Sequence, residues 1–180
     1  MSLDTKKAQM RIMKVIEQVQ LSDLINVADI GAASINETPV YSDLVMGEYG
    51  HLFAFDGDSR QIPALRKLYG DHATVLNHFL ADGDPHTAYI CREDTGMTSL
   101  LKPNQTALAF FNNFSLFGKV LKEERIQTTR LDDIDEIGDL HFVKMDVQGS
   151  ELNILKNGLK KLSNCVAVQL EVSFICLYEN

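Results

Sequence analysis

The run Val27-Ala28-Asp29-Ile30-Gly31-Ala32-Ala33 limits what this chain can fold into more than any other stretch. A short apolar run that stops at an acid and a glycine has the pattern of a buried parallel strand. Its carboxyl end is the edge at which open α/β sheets hold their ligands. The motif returns at His51-Leu52-Phe53-Ala54-Phe55-Asp56, again closed by an acid. Between the two, Thr38 is a good N-cap and Pro39 suits a first helical turn, so a helix running to about Gly47 is expected. Strand, helix, strand and acid make one βαβ unit.

The remaining chain continues the alternation. A second helix is expected over 59–69, with Asp58 or Ser59 near its cap, and a third strand over 73–80, followed by the loop Ala81-Asp82-Gly83-Asp84. Residues 86–91 alternate as one strand of a hairpin, with Gly96-Met97-Thr98-Ser99-Leu100-Leu101 turning back. Residues 120–131 have a strand period, 141–147 read as a fourth core strand, 148–159 as a helix and 165–172 as a fifth strand. An amphipathic helix over 8–24 leads into the sheet, which divides the chain into a packing helix (1–26) and one domain (27–180). The aromatic-rich segment 106–117 reads as core, with a lid over a cleft as the alternative.

Composition removes several function classes. Seventeen basic against 25 acidic side chains give a net charge of -8, and the pairs Lys6-Lys7 and Lys160-Lys161 are too short to make a phosphate-binding patch. Nucleic acid is therefore not an expected partner. Lys6, Lys7, Arg11, Lys14 and Glu17 interrupt the apolar positions of the first 20 residues, which fits neither a signal peptide nor a membrane span. Cys91, Cys165 and Cys176 lack pair spacing and sit in apolar surroundings, as buried reduced thiols of a cytoplasmic protein would. The histidines share no metal-ligand spacing. His78, midway along an apolar strand, reads as a hydrogen-bonded interior histidine rather than a ligand or base.

The acids at the strand ends point to a ligand. A dinucleotide fingerprint needs G-x-G-x-x-G, but Ala33 and Asn36 occupy the later glycine positions, so a pyrophosphate is poorly accommodated. S-adenosylmethionine carries no phosphate. It needs a close backbone approach, as at Gly31, and a carboxylate such as Asp56 for its ribose hydroxyls. Asp56 also reads as the first residue of a turn with Gly57, and Asp82 either lies by an adenine or starts a turn.

Several of these segments resemble the FkbM family of S-adenosylmethionine-dependent methyltransferases. They are Asp29-Ile30-Gly31-Ala32, Phe53-Ala54-Phe55-Asp56, Gly96-Met97-Thr98-Ser99-Leu100-Leu101, Thr129-Arg130-Leu131-Asp132-Asp133-Ile134, Lys144-Met145-Asp146-Val147-Gln148-Gly149-Ser150-Glu151 and Leu170-Glu171-Val172-Ser173-Phe174. The resemblance runs from about Val27 to the end of the chain, and the K-x-D-x-Q-G-x-E run is its most specific part. It implies an α/β, Rossmann-like class I methyltransferase fold, with a mostly parallel sheet and helices on both faces. It also implies S-adenosylmethionine as methyl donor and a hydroxyl acceptor on a sugar or small-molecule natural-product intermediate. Carried over by position, Asp29, Gly31 and Ala32 line the methionyl end, Asp56 holds the ribose, Asp82 lies by the adenine and Asp146 faces sulfonium and acceptor.

Asp146 is the expected base, with Glu171 and Lys144 as helpers. The structural alternative has Asp146 bonded to the following helix N-terminus and Lys144 paired with Glu171. Two positions depart from the family pattern: Ser34-Ile35-Asn36 stands where many members have a further glycine, and Asp56-Gly57 where Glu-Pro is usual. Nothing follows Asn180 where the fold normally adds two strands, so an open sheet edge able to pair with a second copy is expected. The rival function is a non-catalytic cofactor-fold binding or scaffold module, and a weaker third is an NAD-dependent enzyme.

Overall fold

A computed structural model describes residues 14–16, 18–19, 23–33 and 38–179. Of the helix expected over 8–24, 14–16 and 18–19 are helical, Asp23 and Leu24 are not, and the rest lies outside the described residues, as do Ser34, Ile35 and Asn36.

Five parallel strands, β1 (Ile25–Ile30), β2 (Gly50–Phe55), β3 (Ala73–Leu76), β6 (Phe142–Met145) and β7 (Ala167–Leu170), form one sheet in the order β3-β2-β1-β6-β7. The side-chain period of two sorts the sheet into two cores. Ala28, Ile30, Phe53, Phe55, Val143 and Met145 point to one face, covered by Ile154 of α5 (Glu151–Lys156) and by Leu131, Ile134, Ile137 and Leu140. Val27, Leu52 and Ala54 point to the other, under Val45 of α1 (Ser42–Met46) and Leu65 and Tyr69 of α2 (Ile62–Tyr69). Burial on both faces is why β1 and β2 read as nearly unbroken apolar runs.

A second, two-stranded antiparallel sheet pairs β4 (Pro85–Ile90) with β5 (Lys122–Gln127). Residues 96–101 were the expected hairpin partner of β4. They meet it only at the Tyr89–Ser99 bridge, because the long alternating run of β5 takes its edge instead.

Other expectations shift in instructive ways. The helix expected from Thr38 begins only at Ser42, and no side chain caps it. Pro39 to Ser42 make a turn that brings Tyr41 into the core, where its hydroxyl donates to Asp29. The strand expected over 73–80 stops at Leu76, because Asn77 turns its amide back to the Asp56 and Gly57 carbonyls.

Segment 106–117 is not core. It forms two single-turn helices, α3 (Gln105–Leu108) and α4 (Phe114–Phe117). Such short helices turn few side chains inward: Leu108 is fully buried, whereas Phe110 is 84% exposed. Phe111, Phe114 and Phe117 meet at tilted angles, with centroids 5.4 and 5.9 Å apart; Phe111 and Phe117 are exposed, and half-buried Phe114 packs toward Leu108.

The cysteines also differ from expectation. All three are free, but only Cys91 is buried and Cys176 is exposed. β7, the expected fifth strand, stands at one edge of the sheet and is largely exposed. Among the described residues, no helix is long and apolar enough to cross a membrane.

Candidate active site

The strand order reverses between β1 and β6, and a crevice in a doubly wound sheet forms outside the carboxyl ends at such a point. A cavity of about 400 Å³ lies there, within the usual range for small-ligand sites. It is lined by Asp29, Gly31 and Ala32 from the end of β1, Asp56 after β2, and Lys144 and Asp146 from the end of β6. Asp82 and Glu171 are not among its lining residues.

Gly31 fixes how the strands meet. Its φ is +81°, and an added Cβ would sit 2.0 Å from the Asp146 carbonyl oxygen, so no other residue fits without moving the end of β6. The N–H groups of Gly31 and Ala32 both donate to the Phe55 carbonyl, at 2.9 and 3.0 Å, which locks the turn to β2.

Register sets the charge pairing on the cavity floor. Asp29 and Lys144 are neighbours on adjacent strands, on the same face, and Lys144 Nζ donates to Asp29 Oδ1 at 2.9 Å. Tyr41 donates to Asp29 Oδ2. Asp29 is only 2% exposed, and burial raises its pKa against the opposing pull of Lys144 and Tyr41. Lys144 therefore belongs to Asp29, not to Glu171 as the structural alternative had it.

Asp56 starts a turn, as one of its two readings had it, and it also lines the cavity. Its Oδ1 accepts the Asp58 N–H at 2.8 Å, forming the local turn, while the residue faces the cavity. Oδ2 has no hydrogen-bond partner among the described residues. Burial pushes the Asp56 carboxyl up to about 7, although the Asp58 N–H and Arg60 act against it.

The K-x-D-x-Q-G-x-E run folds into a tight loop. Glu151 accepts the N–H groups of Val147, at 3.0 Å, and of Gly149, at 3.0 Å to its nearer oxygen. It thereby performs the N-terminal bonding that the structural alternative gave to Asp146. Gln148 and Gly149 have φ of +60° and +107°, which turns the Gln148 amide toward the acids. Its Nε2 donates to Asp146 Oδ1 and to Glu171 Oε2, each at 2.7 Å. Glu171 lies within hydrogen-bonding reach of Asp146, and sharing a proton with that carboxylate, reinforced by burial, pushes Glu171 up to about 7.

Of the two readings of Asp82, the structure shows the turn. Asp82 starts that turn with Asp84 and accepts from His86 Nε2 at 2.8 Å and Asn153 Nδ2 at 3.2 Å. Partial burial raises its pKa, but these three hydrogen bonds outweigh that and hold it near 2. His78 is hydrogen-bonded as expected, with its Nδ1 3.1 Å from Thr129 Oγ1, but it lies beyond the end of β3 and is half-buried at the cavity rather than interior to a strand. Among the described residues, no three His, Cys, Asp or Glu side chains are grouped so that they could hold a metal ion.

The family model of the methyltransferase FkbM domain matches residues 29–179. The chain belongs to the FkbM methyltransferase family. No curated protein and no solved structure matches it. The FkbM match begins at Asp29 and ends one residue past Tyr178, so it takes in both the cavity and the C-terminal segment packed beside it.

Three residues of this FkbM site escaped sequence reasoning: Tyr41, Gln148 and Tyr178. Gln148 carried a signal, since it stands between the two acids of the most specific motif. Tyr41 and Tyr178 carried none, because their partners lie in distant parts of the chain.

Proposed function

We propose that this FkbM protein is an S-adenosylmethionine-dependent O-methyltransferase acting on a hydroxyl of a sugar or small-molecule natural-product intermediate. The observation that carries the cofactor assignment is Asp56, a carboxylate 8% exposed, facing the cavity with one oxygen free of partners among the described residues. Two ribose hydroxyls are suitable donors for it. The backbone after β1 argues against a dinucleotide: Gly31 and Ala32 have spent their N–H groups on Phe55, leaving neither for a pyrophosphate.

S-adenosylmethionine supplies a methyl group already activated on a sulfonium, so the protein's task is alignment, exclusion of water and removal of the acceptor's proton. Gly31 and Ala32 allow close approach of the amino-acid end, and the Asp29–Lys144 pair sets the polarity of the floor. Asp146, at the cavity wall, takes the hydroxyl proton, and Glu171 and Gln148 behind it tune how readily it does so.

Calorimetry with S-adenosylmethionine and S-adenosylhomocysteine tests the reading. Both should bind, and binding should strengthen about tenfold from pH 6 to pH 8 as Asp56 ionises through about 7. Asp56→Asn should weaken binding of both at pH 8 by about ten- to hundredfold and remove most of that pH dependence. Absence of binding by either ligand would favour the scaffold-module reading.

The same carboxyl affects the ligand-free fold. A folded-state pKa raised from 3.8 to about 7 means that the folded protein retains a proton the unfolded chain has released. Stability from this group is therefore full below pH 3.8 and is lost as pH rises through about 7. Asp56→Asn should raise the thermal midpoint of ligand-free protein at pH 8 more than at pH 5.

A further inference from the structure

The Gln148 amide has a required orientation. Its nitrogen must face the two acids, because Nε2 donates to Asp146 Oδ1 and Glu171 Oε2, which leaves Oε1 pointing the other way. There it accepts from the Tyr178 hydroxyl. Among the described residues, the only other hydrogen bond of that hydroxyl is a weak one, to Met97 Sδ at 3.7 Å.

Tyr178 is itself anchored. It is 7% exposed and packs with Cys91, Met97 and Leu108 in a small apolar cluster away from the two main cores. Its backbone bridges to Pro103, Asn104 N–H donates to the Leu177 carbonyl at 2.8 Å, and Glu179 N–H donates to the Lys102 carbonyl at 2.7 Å. The Gln148 carbonyl is held from the same side by Ser99 Oγ at 2.8 Å, and Leu101 fills the space where a Cβ on Gly149 would sit. Loop 97–104 and segment 176–179 thus form a clamp around Gln148.

We propose that Tyr178 is a positioning residue for the reaction: through Gln148 it holds the Asp146–Glu171 carboxyl pair in the arrangement that lets Asp146 act as the base. The proposal rests on Asp146 being that base. Without the Tyr178 hydroxyl, Gln148 Oε1 loses its donor and the amide is free to turn over, presenting an oxygen to the acids. The ionised pair then loses two hydrogen bonds and gains a repulsion, so it holds its shared proton more tightly. The other charged or titratable groups acting on the pair and the tyrosine are Asp29, which holds the Lys144 ammonium, Glu151, already occupied by the Val147 and Gly149 N–H groups, and the Cys91 thiol. None of them offers an unpaired cation to replace the amide.

Carbon-13 NMR of the ligand-free full chain, labelled at Asp and Glu carboxyls, tests this without any acceptor. Glu171→Gln assigns the signal that titrates near 7 in the unaltered protein. Tyr178→Phe, which keeps the ring in its cluster, should move that titration upward by about half a pH unit or more. Gln148→Met should move it at least as far, and the double variant no further than Gln148→Met alone. A titration unmoved by Tyr178→Phe, or shifts that add in the double variant, would overturn the proposal. A merely structural Tyr178 would lower the thermal midpoint and leave the titration in place. If the shifts occur but S-adenosylmethionine does not bind, the clamp stands and the methyltransferase reading falls.

Discussion

Asp146→Asn should lower methyl transfer by about 10²- to 10⁴-fold while leaving affinity for S-adenosylmethionine within about twofold of the unaltered protein. Asparagine has the same shape, and its Oδ1 can still accept from Gln148 Nε2, so the loop from Val147 to Glu151 is undisturbed. What disappears is the capacity to accept a proton. The substitution also removes the main reason Glu171 is raised, its shared proton with Asp146, so the titration near 7 should fall back toward the ordinary carboxylate range. In the unaltered protein, activity should accordingly rise with pH through about 7, and the residual activity of the variant should lose that rise. Measurement requires an accepted substrate, with the pH profile of kcat and isothermal calorimetry run on the same preparation. Full activity in the variant would remove Asp146 as the base and leave alignment alone to account for the rate.

Much of the site was legible because parallel strands advertise their ends. β1, β2 and β6 are apolar runs closed near an acid, and the sheet order brings Asp29, Asp56 and Asp146 to one crevice. The same local pattern at Asp82 left two readings open, of which the turn is the one the structure shows. Asp56-Gly57 and Asp82-Gly83 look alike in sequence, each following an apolar stretch. But β3 ends at Leu76, and the chain then leaves the sheet to bridge Leu80 with Thr129, so Asp82 follows a connecting segment and not a strand end. Pattern alone does not show where pairing stops; that depended on the Asn77 amide finding the Asp56 and Gly57 carbonyls.

The aromatic segment failed for a different reason. Its density of apolar residues suggests core, but α3 and α4 are single turns and can bury little more than Leu108. Side-chain partners were the least legible part. That Asp29 would meet Lys144 follows from register, which needs the β1–β6 pairing to be known first. Tyr41 and Tyr178 reach their partners through tertiary packing that no spacing encodes.

That register supports the second large effect. Lys144→Met should destabilise the protein by about 3 kcal/mol, because it leaves the Asp29 carboxylate buried with only the Tyr41 hydroxyl for support. Burial already raises Asp29, and loss of the cation that lowers it raises it further. The folded state then keeps a proton that the unfolded chain has lost, so the deficit should be smaller at pH 5 than at pH 8. Asp29→Asn should cost less, about 1 kcal/mol, since Lys144 borders the cavity and its ammonium can turn toward water. The double variant should be more stable than Lys144→Met alone: with Asp29→Asn in place, the new amide oxygen can accept from Tyr41 while the amide nitrogen meets an apolar neighbour instead of an ammonium. The coupling should be about 1–3 kcal/mol and should weaken as pH falls from 8 to 5, because burial raises the Asp29 pKa and favours its neutral form. Urea denaturation of the four proteins at pH 5 and pH 8 measures it. Additive effects at both pH values would mean that the cross-strand contact between Asp29 and Lys144 does not organise the cavity floor.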